Sequence, residues 1–129
     1  MYLVDTDWIV DYLKGKQKSV EILQKLFDEG LYVSMISIAE IYEGIVDAKD
    51  KEQIEKSLDD FLEGVIILNL NEDICRKFGK IRNDMRKRGE MIGDFDILIA
   101  STAIVHGLKL ITGNKAHFTR IKEVEIWEK

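Results

Sequence analysis

Apolar residues recur along the chain either in short unbroken runs or at helical spacing between glycines. The unbroken runs predict four buried strands, over residues 2–4, 31–35, 65–68 and 108–112. Helical spacing predicts helices over residues 6–14, 17–29, 50–63, 72–88 and 95–106, and a further helix that begins at Ser37 and carries Glu40. Residues 113–121 are predicted to be a loop or short helix, and residues 124–127 are a candidate last strand.

Strands that alternate with helices are typical of a parallel sheet covered on both faces. We therefore expect an α/β fold, a three-layer α/β/α arrangement with a central, mainly parallel sheet. The length of 129 residues suits one domain, residues 1–129, and no repeat or linker divides the chain. In open sheets of this kind ligands bind beyond the carboxyl ends of the strands, so residues that follow strands are the first functional candidates.

The composition narrows the class of protein. A hydrophobic fraction of 46% is enough for one ordinary core, and no apolar run approaches the roughly 20 residues of a membrane span. No basic segment of the signal-peptide type opens the chain, and the single cysteine, Cys75, fits a reducing compartment, so we expect a cytoplasmic protein. Cys75 has helical apolar spacing and no histidine near it in sequence, which predicts a thiol in the core.

Four segments place acids or an amide beyond the predicted strands. Asp5 follows the first strand, and Glu40 lies one turn into the helix after the second. Asp94 and Asp96 open the helix before the strand at 108–112, and Asn114 lies two residues after that strand. The stretches around the acids are apolar, and no Lys or Arg adjoins the acids at helical spacing. Because unpaired charge is costly beside a buried segment, the pattern favours a hard divalent cation, Mg²⁺ or Mn²⁺.

Each acid, taken alone, also has a purely structural interpretation. Asp5 can cap the helix that follows it, and Asp94 is a natural N-cap after Gly93. Ser37 and Glu40 have the spacing of a capping box, in which the glutamate bonds back to the serine backbone. Asp96 would then lie in the first turn, where the helix dipole favours an anion. Helix capping and the helix dipole can explain any one acid. They do not explain why all four segments place their acid or amide toward the same end of the predicted sheet.

The charge of the whole chain argues against general nucleic-acid binding, because such binding comes mostly from cations that neutralise phosphates. The formal net charge is −5. Residues 72–88 are the exception, with seven basic and three acidic residues in one predicted helix. Arg82 and Arg86 lie four apart on one face of that helix, where a bound phosphate would relieve their repulsion. A merely solvated helix face is the alternative.

Four motifs in this order resemble PIN domains, and in particular the toxins of VapBC toxin–antitoxin pairs. The first is Tyr-Leu-Val-Asp-Thr-Asp at residues 2–7, and the second is Ser-Ile-Ala-Glu-Ile-Tyr-Glu-Gly at residues 37–44. Residues 92–100 carry the most specific one, Ile-Gly-Asp-Phe-Asp-Ile-Leu-Ile-Ala. The fourth, Leu-Ile-Thr-Gly-Asn-Lys-Ala-His-Phe at residues 110–118, precedes Trp127. The resemblance covers essentially the whole chain.

The resemblance implies an endoribonuclease that uses Mg²⁺ or Mn²⁺ and leaves a 5′-phosphate and a 3′-hydroxyl. The family's first three acids match Asp5, Glu40 and Asp96, which would bind the metal, and Asp94 is an additional acid that can join the catalytic group. The fourth position, often Asp in the family, is Asn114 here, and an uncharged amide leaves the number of metal ions open.

The resemblance also implies further contacts and partners. Thr6 and Thr112 can donate hydroxyl hydrogen bonds to the acids or to a phosphate, and Arg82 and Arg86 are the candidates for RNA binding. His117, in the loop after Asn114, is a lesser candidate for catalysis. The expected partners are an RNA substrate, with tRNA as one option, a cognate antitoxin protein and a second copy of the chain in a homodimer. No membrane partner is expected.

Three alternatives to a nuclease remain at this point. One is a catalytically degraded, RNA-binding PIN-like module, which the amide at Asn114 permits. Another is a phosphatase of the haloacid-dehalogenase type, since Asp5 and Asp7 have the Asp-x-Asp spacing of that class. Ile9 stands where that class has Thr or Val, and the chain is short for that fold. A response-regulator receiver fits least, because Asp5 and Asp7 are not an adjacent acid pair.

Overall fold

A parallel sheet of four short strands forms the centre of the computed structural model, which describes residues 1–129. The strands are β1 (Tyr2–Val4), β2 (Leu31–Ser34), β3 (Ile66–Leu68) and β4 (Lys109–Ile111). Their order across the sheet is β3-β2-β1-β4, and every neighbouring pair is parallel. Leu3 in the central strand lies opposite Tyr32 on one side and Leu110 on the other. The carboxyl ends of β1 and its two neighbours therefore meet at one edge of the sheet.

Seven helices surround the sheet, and a 3-10 turn (Phe27–Glu29) follows the second of them. They are α1 (Thr6–Leu13), α2 (Gln17–Leu26), α3 (Met35–Ile45), α4 (Lys51–Glu63), α5 (Glu72–Arg88), α6 (Asp94–His106) and α7 (Lys115–Phe118). The ends of α5 follow from local chemistry. Asn71 Oδ1 accepts a hydrogen bond from the Ile74 backbone N–H at 2.9 Å, and Gly89 ends the helix in the left-handed region at φ 69°.

Two apolar cores lie on opposite faces of the sheet. Leu3 and Leu110 face α5 and α6, together with Met85 and Ile97. The next residue of each strand points the other way, because successive strand side chains alternate between faces. Val4 and Ile111 accordingly pack against the layer of α1 to α4. The expected α/β fold with three layers and a parallel sheet is confirmed.

Some predicted boundaries were wrong. The helix that carries Glu40 begins at Met35, because Ser34 ends β2 and its Oγ accepts a hydrogen bond from the Ile36 N–H at 3.1 Å. The candidate last strand over 124–127 is reduced to a single bridge between Ile126 and Leu110. Every helix is too short or too polar to span a bilayer.

Cys75 corrects the prediction of a core thiol. It is exposed, while its neighbour Ile74 is fully buried together with Met85. A change of one residue turns a helical position by about 100°, so the apolar spacing that fitted Cys75 belongs to the adjacent face of α5.

Candidate active site

One cavity of about 490 Å³ opens at the carboxyl edge of the sheet, and all of its lining residues are polar or glycine. The structure brings Asp5, Glu40, Asp96 and Asn114 together around it, from four separate segments. The complete lining is Asp5, Thr6, Asp7, Glu40, Asp96, Gly113 and Asn114. Four of these seven residues carry a carboxylate and none carries a positive charge, so the cavity is strongly negative.

Asp5 lies at the floor of this cavity with 5% of its surface exposed. Its backbone N–H donates to the Ile111 carbonyl at 2.9 Å, which extends the β1–β4 pairing by one residue. Desolvation by burial, reinforced by the negative charges of Asp7 and Asp96, raises its pKa from 3.8 to about 7. The hydrogen bonds from Thr112 and the Thr6 backbone oppose this rise and do not cancel it.

Thr112 fixes the carboxylate of Asp5. Its hydroxyl donates to Asp5 Oδ2 at 2.7 Å and accepts from the backbone N–H of Asn114 at 2.9 Å. Thr112 is 3% exposed, and both functions of its hydroxyl are used inside the protein. The structure therefore places Thr112 beside Asp5, as one of the two expected roles requires.

Glu40 is held by the other predicted threonine. The Thr6 hydroxyl donates to Glu40 Oε1 at 2.7 Å and lies 3.0 Å from the Ser37 hydroxyl oxygen, which is fully buried. The capping-box interpretation of Ser37 and Glu40 is wrong, because Ser34 is the N-cap of α3 and Ser37 lies inside the helix. The Glu40 carboxylate points toward the start of α1, and the Ser37 hydroxyl supports Thr6 from inside the protein, a role that the sequence analysis did not predict.

The side chains of Asp94 and Asp96 have different partners, although only one residue separates them in α6. Asp96 lines the cavity, and its Oδ2 lies 3.3 Å from His117 Nδ1. Asp94 is outside that lining, and Arg82 Nε donates to its Oδ1 at 2.8 Å. Asp94 is not the N-cap of α6, as its position after Gly93 had suggested, since Gly93 itself is the N-cap and no side chain caps this helix.

Asn114 and His117 meet at the entrance to α7. The Asn114 amide nitrogen lies 2.8 Å from His117 Nδ1, the same ring nitrogen that is near Asp96. One nitrogen cannot accept from the amide and donate to the carboxylate at once, so the tautomer of His117 decides which partner it holds. His117 lies here because it follows Asn114 by three residues in the short helix α7. The sequence predicted a loop or short helix for this segment and did not decide between them.

Asp7 also belongs to the site, and the sequence analysis gave it no role beyond the Asp-x-Asp spacing. Its Oδ2 accepts from the Gly113 N–H at 3.1 Å, and its Oδ1 accepts from the Trp8 N–H at 2.8 Å. Burial raises its pKa, more than the backbone hydrogen bonds lower it. Asp7 links the start of α1 to the turn that follows β4.

The two predicted RNA-binding arginines lie outside the cavity. Arg82 pairs with Asp94, which lines an adjoining cavity together with Glu40 and Asp96, and 37% of the Arg82 side chain is exposed. Arg86 is one turn further along α5 and donates to Asn83 Oδ1 at 2.8 Å. Of the two arginines, only Arg82 forms an ion pair with a residue of α6, Asp94, which is two positions from Asp96.

The donor set fits a hard divalent cation by its chemistry. Carboxylate and amide oxygens surround a cavity that no basic side chain lines, and Asp5 accepts hydrogen bonds from neutral donors alone. In the present arrangement no three acidic, histidine or cysteine side chains are close enough together to hold an ion. Glu40 and Asp96 each use one carboxylate oxygen, toward Thr6 and His117 respectively, and the second oxygen of each is available to an ion.

The sequence of this chain is similar to those of known proteins. The model of the PIN domain matches residues 2–124. Ribonuclease VapC1 of Methanocaldococcus jannaschii is 37% identical over 129 residues, which cover 98% of this chain and 87% of that protein. Ribonuclease VapC1 of Haemophilus influenzae is 32% identical over 130 residues, which cover 99% and 96%.

A solved structure agrees with the sequence relatives. The structure of VapBC2 from Rickettsia felis, bound to a DNA fragment from their promoter, contains a chain with a TM-score of 0.90 and 30% identity. The match covers 98% of both chains. With the family model spanning almost the whole sequence, these similarities show that the chain belongs to the PIN-domain family.

Proposed function

We propose that this chain is a metal-dependent endoribonuclease, the toxin of a type II toxin–antitoxin pair, with residues 1–129 acting as one domain. One observation carries the proposal: Asp5, Glu40, Asp96 and Asn114 converge on a single acidic cavity at the carboxyl edge of the sheet. The relatives named ribonuclease VapC1 support the RNA substrate.

Asp5, Glu40 and Asp96 would hold Mg²⁺ or Mn²⁺, and the Asn114 carbonyl oxygen would add an uncharged ligand. When bound, the ion supplies charge neutralisation at the scissile phosphate and a water of lowered pKa. The chain's own contribution is to fix the carboxylates. Thr112 orients Asp5 from below, and Thr6 orients Glu40 from the side.

Glu40 is the better candidate for handling the proton of the attacking water. Its Oε1 accepts from Thr6, while its Oε2 has no protein donor and can accept a proton from a water molecule in the cavity. Asp94, the other candidate, is committed to Arg82. The water oxygen forms a bond to phosphorus as the P–O3′ bond breaks, and the departing 3′-oxygen takes up a proton. The products are a 5′-phosphate and a 3′-hydroxyl.

RNA would approach along α5. The segment 72–88 has a formal charge of +4, and Arg82 brings that charge to the rim of the cavity. A phosphate next to the scissile one can accept from the free guanidinium nitrogens of Arg82 while Asp94 holds Nε. Arg86, one turn away, extends the same path.

The antitoxin partner is proposed from the VapBC complex among the similar structures. An acidic cavity without a cation is complementary to a basic segment, so an antitoxin arm that carries Arg or Lys would fill it and exclude both metal and RNA. The expected homodimer stays a prediction. The exposed apolar side chains of Met35 and Tyr42 in α3, and of Val46 directly after it, are where we would look for its contacts.

The test is cleavage of a mixed RNA pool that includes tRNA, in Mg²⁺, in Mn²⁺ and in EDTA. Wild type is compared with Asp96→Asn and with Asp59→Asn, a matched control in which an exposed acid of α4 is neutralised far from the cavity. Cleavage that needs metal, is lost in Asp96→Asn and persists in Asp59→Asn supports the proposal. Binding without turnover in every metal would favour the catalytically degraded RNA-binding module, which Asn114 permits.

A further inference from the structure

We propose that Asp7 is a positioning residue of this site, which acts by holding the turn that carries Asn114. The inference rests on the proposed nuclease function for its kinetic readout, and on the geometry of Asp7 and Gly113 for everything else. Asp7 lines the acidic cavity beside Asp5, yet its hydrogen bonds distinguish it from the three carboxylates that would hold the ion.

Both oxygens of the Asp7 carboxylate are used by backbone donors. Oδ1 accepts from the N–H of Trp8, and Oδ2 accepts from the N–H of Gly113, which lies 106 residues further along the chain. A carboxylate with both oxygens directed at main-chain N–H groups is fixed in orientation and has a structural partner on each side. We infer that it holds two segments together and does not serve as a ligand.

Asp7 occupies the space that a side chain at position 113 would need. A Cβ atom at position 113 would lie 2.7 Å from Asp7 Oδ2, a separation that forces one of the two groups to move. Every other neighbour of that Cβ would be at 3.8 Å or more. The absence of a side chain at Gly113 is therefore what admits the Asp7 carboxylate to the turn.

The turn held in this way leads directly to two other parts of the site. Asn114 follows Gly113, and its backbone N–H donates to the Thr112 hydroxyl, which donates to Asp5. The Asn114 side chain lies within 2.8 Å of His117. Since Asn114 is an amide without charge, a metal or phosphate would attract it weakly, and its place in the cavity depends on the backbone that carries it.

Kinetics of three variants test the proposal. We expect Asp7→Ala to lower kcat roughly 10- to 100-fold, the size of effect that a small misplacement of a catalytic group produces. KM for RNA should stay within about threefold. Asp7→Asn, which can accept from only one of the two N–H groups with its single carbonyl oxygen, should fall between. Asp11→Ala is the matched control, because it removes a partly exposed acid from the same helix that lies outside the cavity, pairs with Lys16 and makes no hydrogen bond to the Gly113 turn.

Double variants separate positioning from simple loss of stability. If Asp7 acts through the turn, Asp7→Ala combined with Asn114→Ala should cost no more than the worse single variant. Gly113→Ala should lower kcat in the wild-type background and have no further effect in Asp7→Ala, where the clashing carboxylate is gone. Independent, multiplying losses in both cycles, or an unchanged kcat in a folded Asp7→Ala, would overturn the proposal.

A spectroscopic measurement keeps this inference separate from the nuclease assignment. In metal-free protein the Gly113 backbone amide and the Asn114 side-chain amide should shift in the NMR spectrum of Asp7→Ala and stay in place in Asp11→Ala. If wild type cleaves no RNA, the nuclease proposal fails, and the Gly113 and Asn114 signals alone decide whether Asp7 holds the turn. Unmoved signals in Asp7→Ala would refute it whatever the activity.

Discussion

Two groups of residues at the carboxyl edge of the sheet, a strand-end half and a helix-start half, compensate negative charge differently. The strand-end half consists of Asp5, Thr112 and Asn114, which lie at the ends of β1 and β4. The helix-start half consists of Asp94 and Asp96 at the beginning of α6. Asp5 is almost fully buried and meets only neutral donors, whereas Asp94 has an arginine and Asp96 a histidine within 3.3 Å.

The difference shows where the fold tolerates an unfavourable charge. A buried carboxylate with neutral partners alone is costly when ionised, and the raised pKa of Asp5 reports that cost. The exposed pair of Asp94 and Arg82 has little such cost and contributes little to stability. A strained charge in the strand-end half is what a cation would relieve, so that half is where metal binding and folding should be coupled.

The largest effect should come from Asp5→Asn. We expect cleavage to fall at least about 100-fold, because the substitution removes a negative ligand while the hydrogen-bonding shape is largely kept. The assay is single-turnover cleavage at saturating Mn²⁺, with circular dichroism and thermal unfolding as checks on the fold. Wild-type rates in a folded Asp5→Asn protein would remove Asp5 from the metal site and the strand-end half from the mechanism.

The second effect is on stability, and its sign follows from the direction of the pKa shift. The pKa of Asp5 is about 7 in the folded protein against 3.8 in the unfolded chain, so between these values the folded state retains a proton that the unfolded state has lost. Stability of the metal-free protein should therefore fall as pH rises from 4 through 7 and level off above that. The full shift corresponds to a loss on the order of 4 kcal/mol.

Guanidinium unfolding in EDTA at pH 5 and pH 8 measures this loss. Asp5→Asn cannot titrate, so its dependence on pH should be clearly weaker than that of wild type, and at pH 8 it should be the more stable protein. Mn²⁺ at pH 8 should raise the stability of wild type and leave Asp5→Asn nearly unchanged. Parallel curves for the two proteins would show that burial of Asp5 carries no such cost.

The strand-end half was predictable because its signals are local. An apolar run that ends in an acid fixes both the strand and the position of Asp5, and the same holds for the run before Asn114. The parallel order of β1 and β4 then brings the two ends together. The short apolar runs predict the strands and the edge of the sheet at which they end, and the sequence itself gives the residue at each end. No knowledge of side-chain contacts is needed.

The partners of the acids were not predictable, because they depend on contacts across long separations. Glu40 fitted a capping box by spacing, and only the approach of α3 to Thr6 shows that its carboxylate points elsewhere. Asp94 fitted an N-cap, and its bond to Arg82 joins two helices whose relative placement the sequence does not reveal. Asp7 was overlooked because its significance depends on Gly113, 106 residues away.

The smallest effect concerns the helix-start half, where Asp94 and Arg82 should tune RNA affinity without contributing to chemistry. Arg82→Ala should weaken RNA binding several-fold and reduce the salt slope by about one, as loss of a single phosphate contact does. Asp94→Asn should strengthen binding about two- to fivefold, because it frees the Arg82 guanidinium, and cleavage at saturating RNA should change by less than threefold.

Lys56→Ala, on the other layer of the molecule, is the control for general charge. A loss of saturating cleavage in Asp94→Asn comparable to that in Asp96→Asn would instead make Asp94 a metal ligand and erase the division between the two halves. Filter binding at two salt concentrations with a cleavage-inactive Asp96→Asn background separates these outcomes, since affinity is then read without turnover.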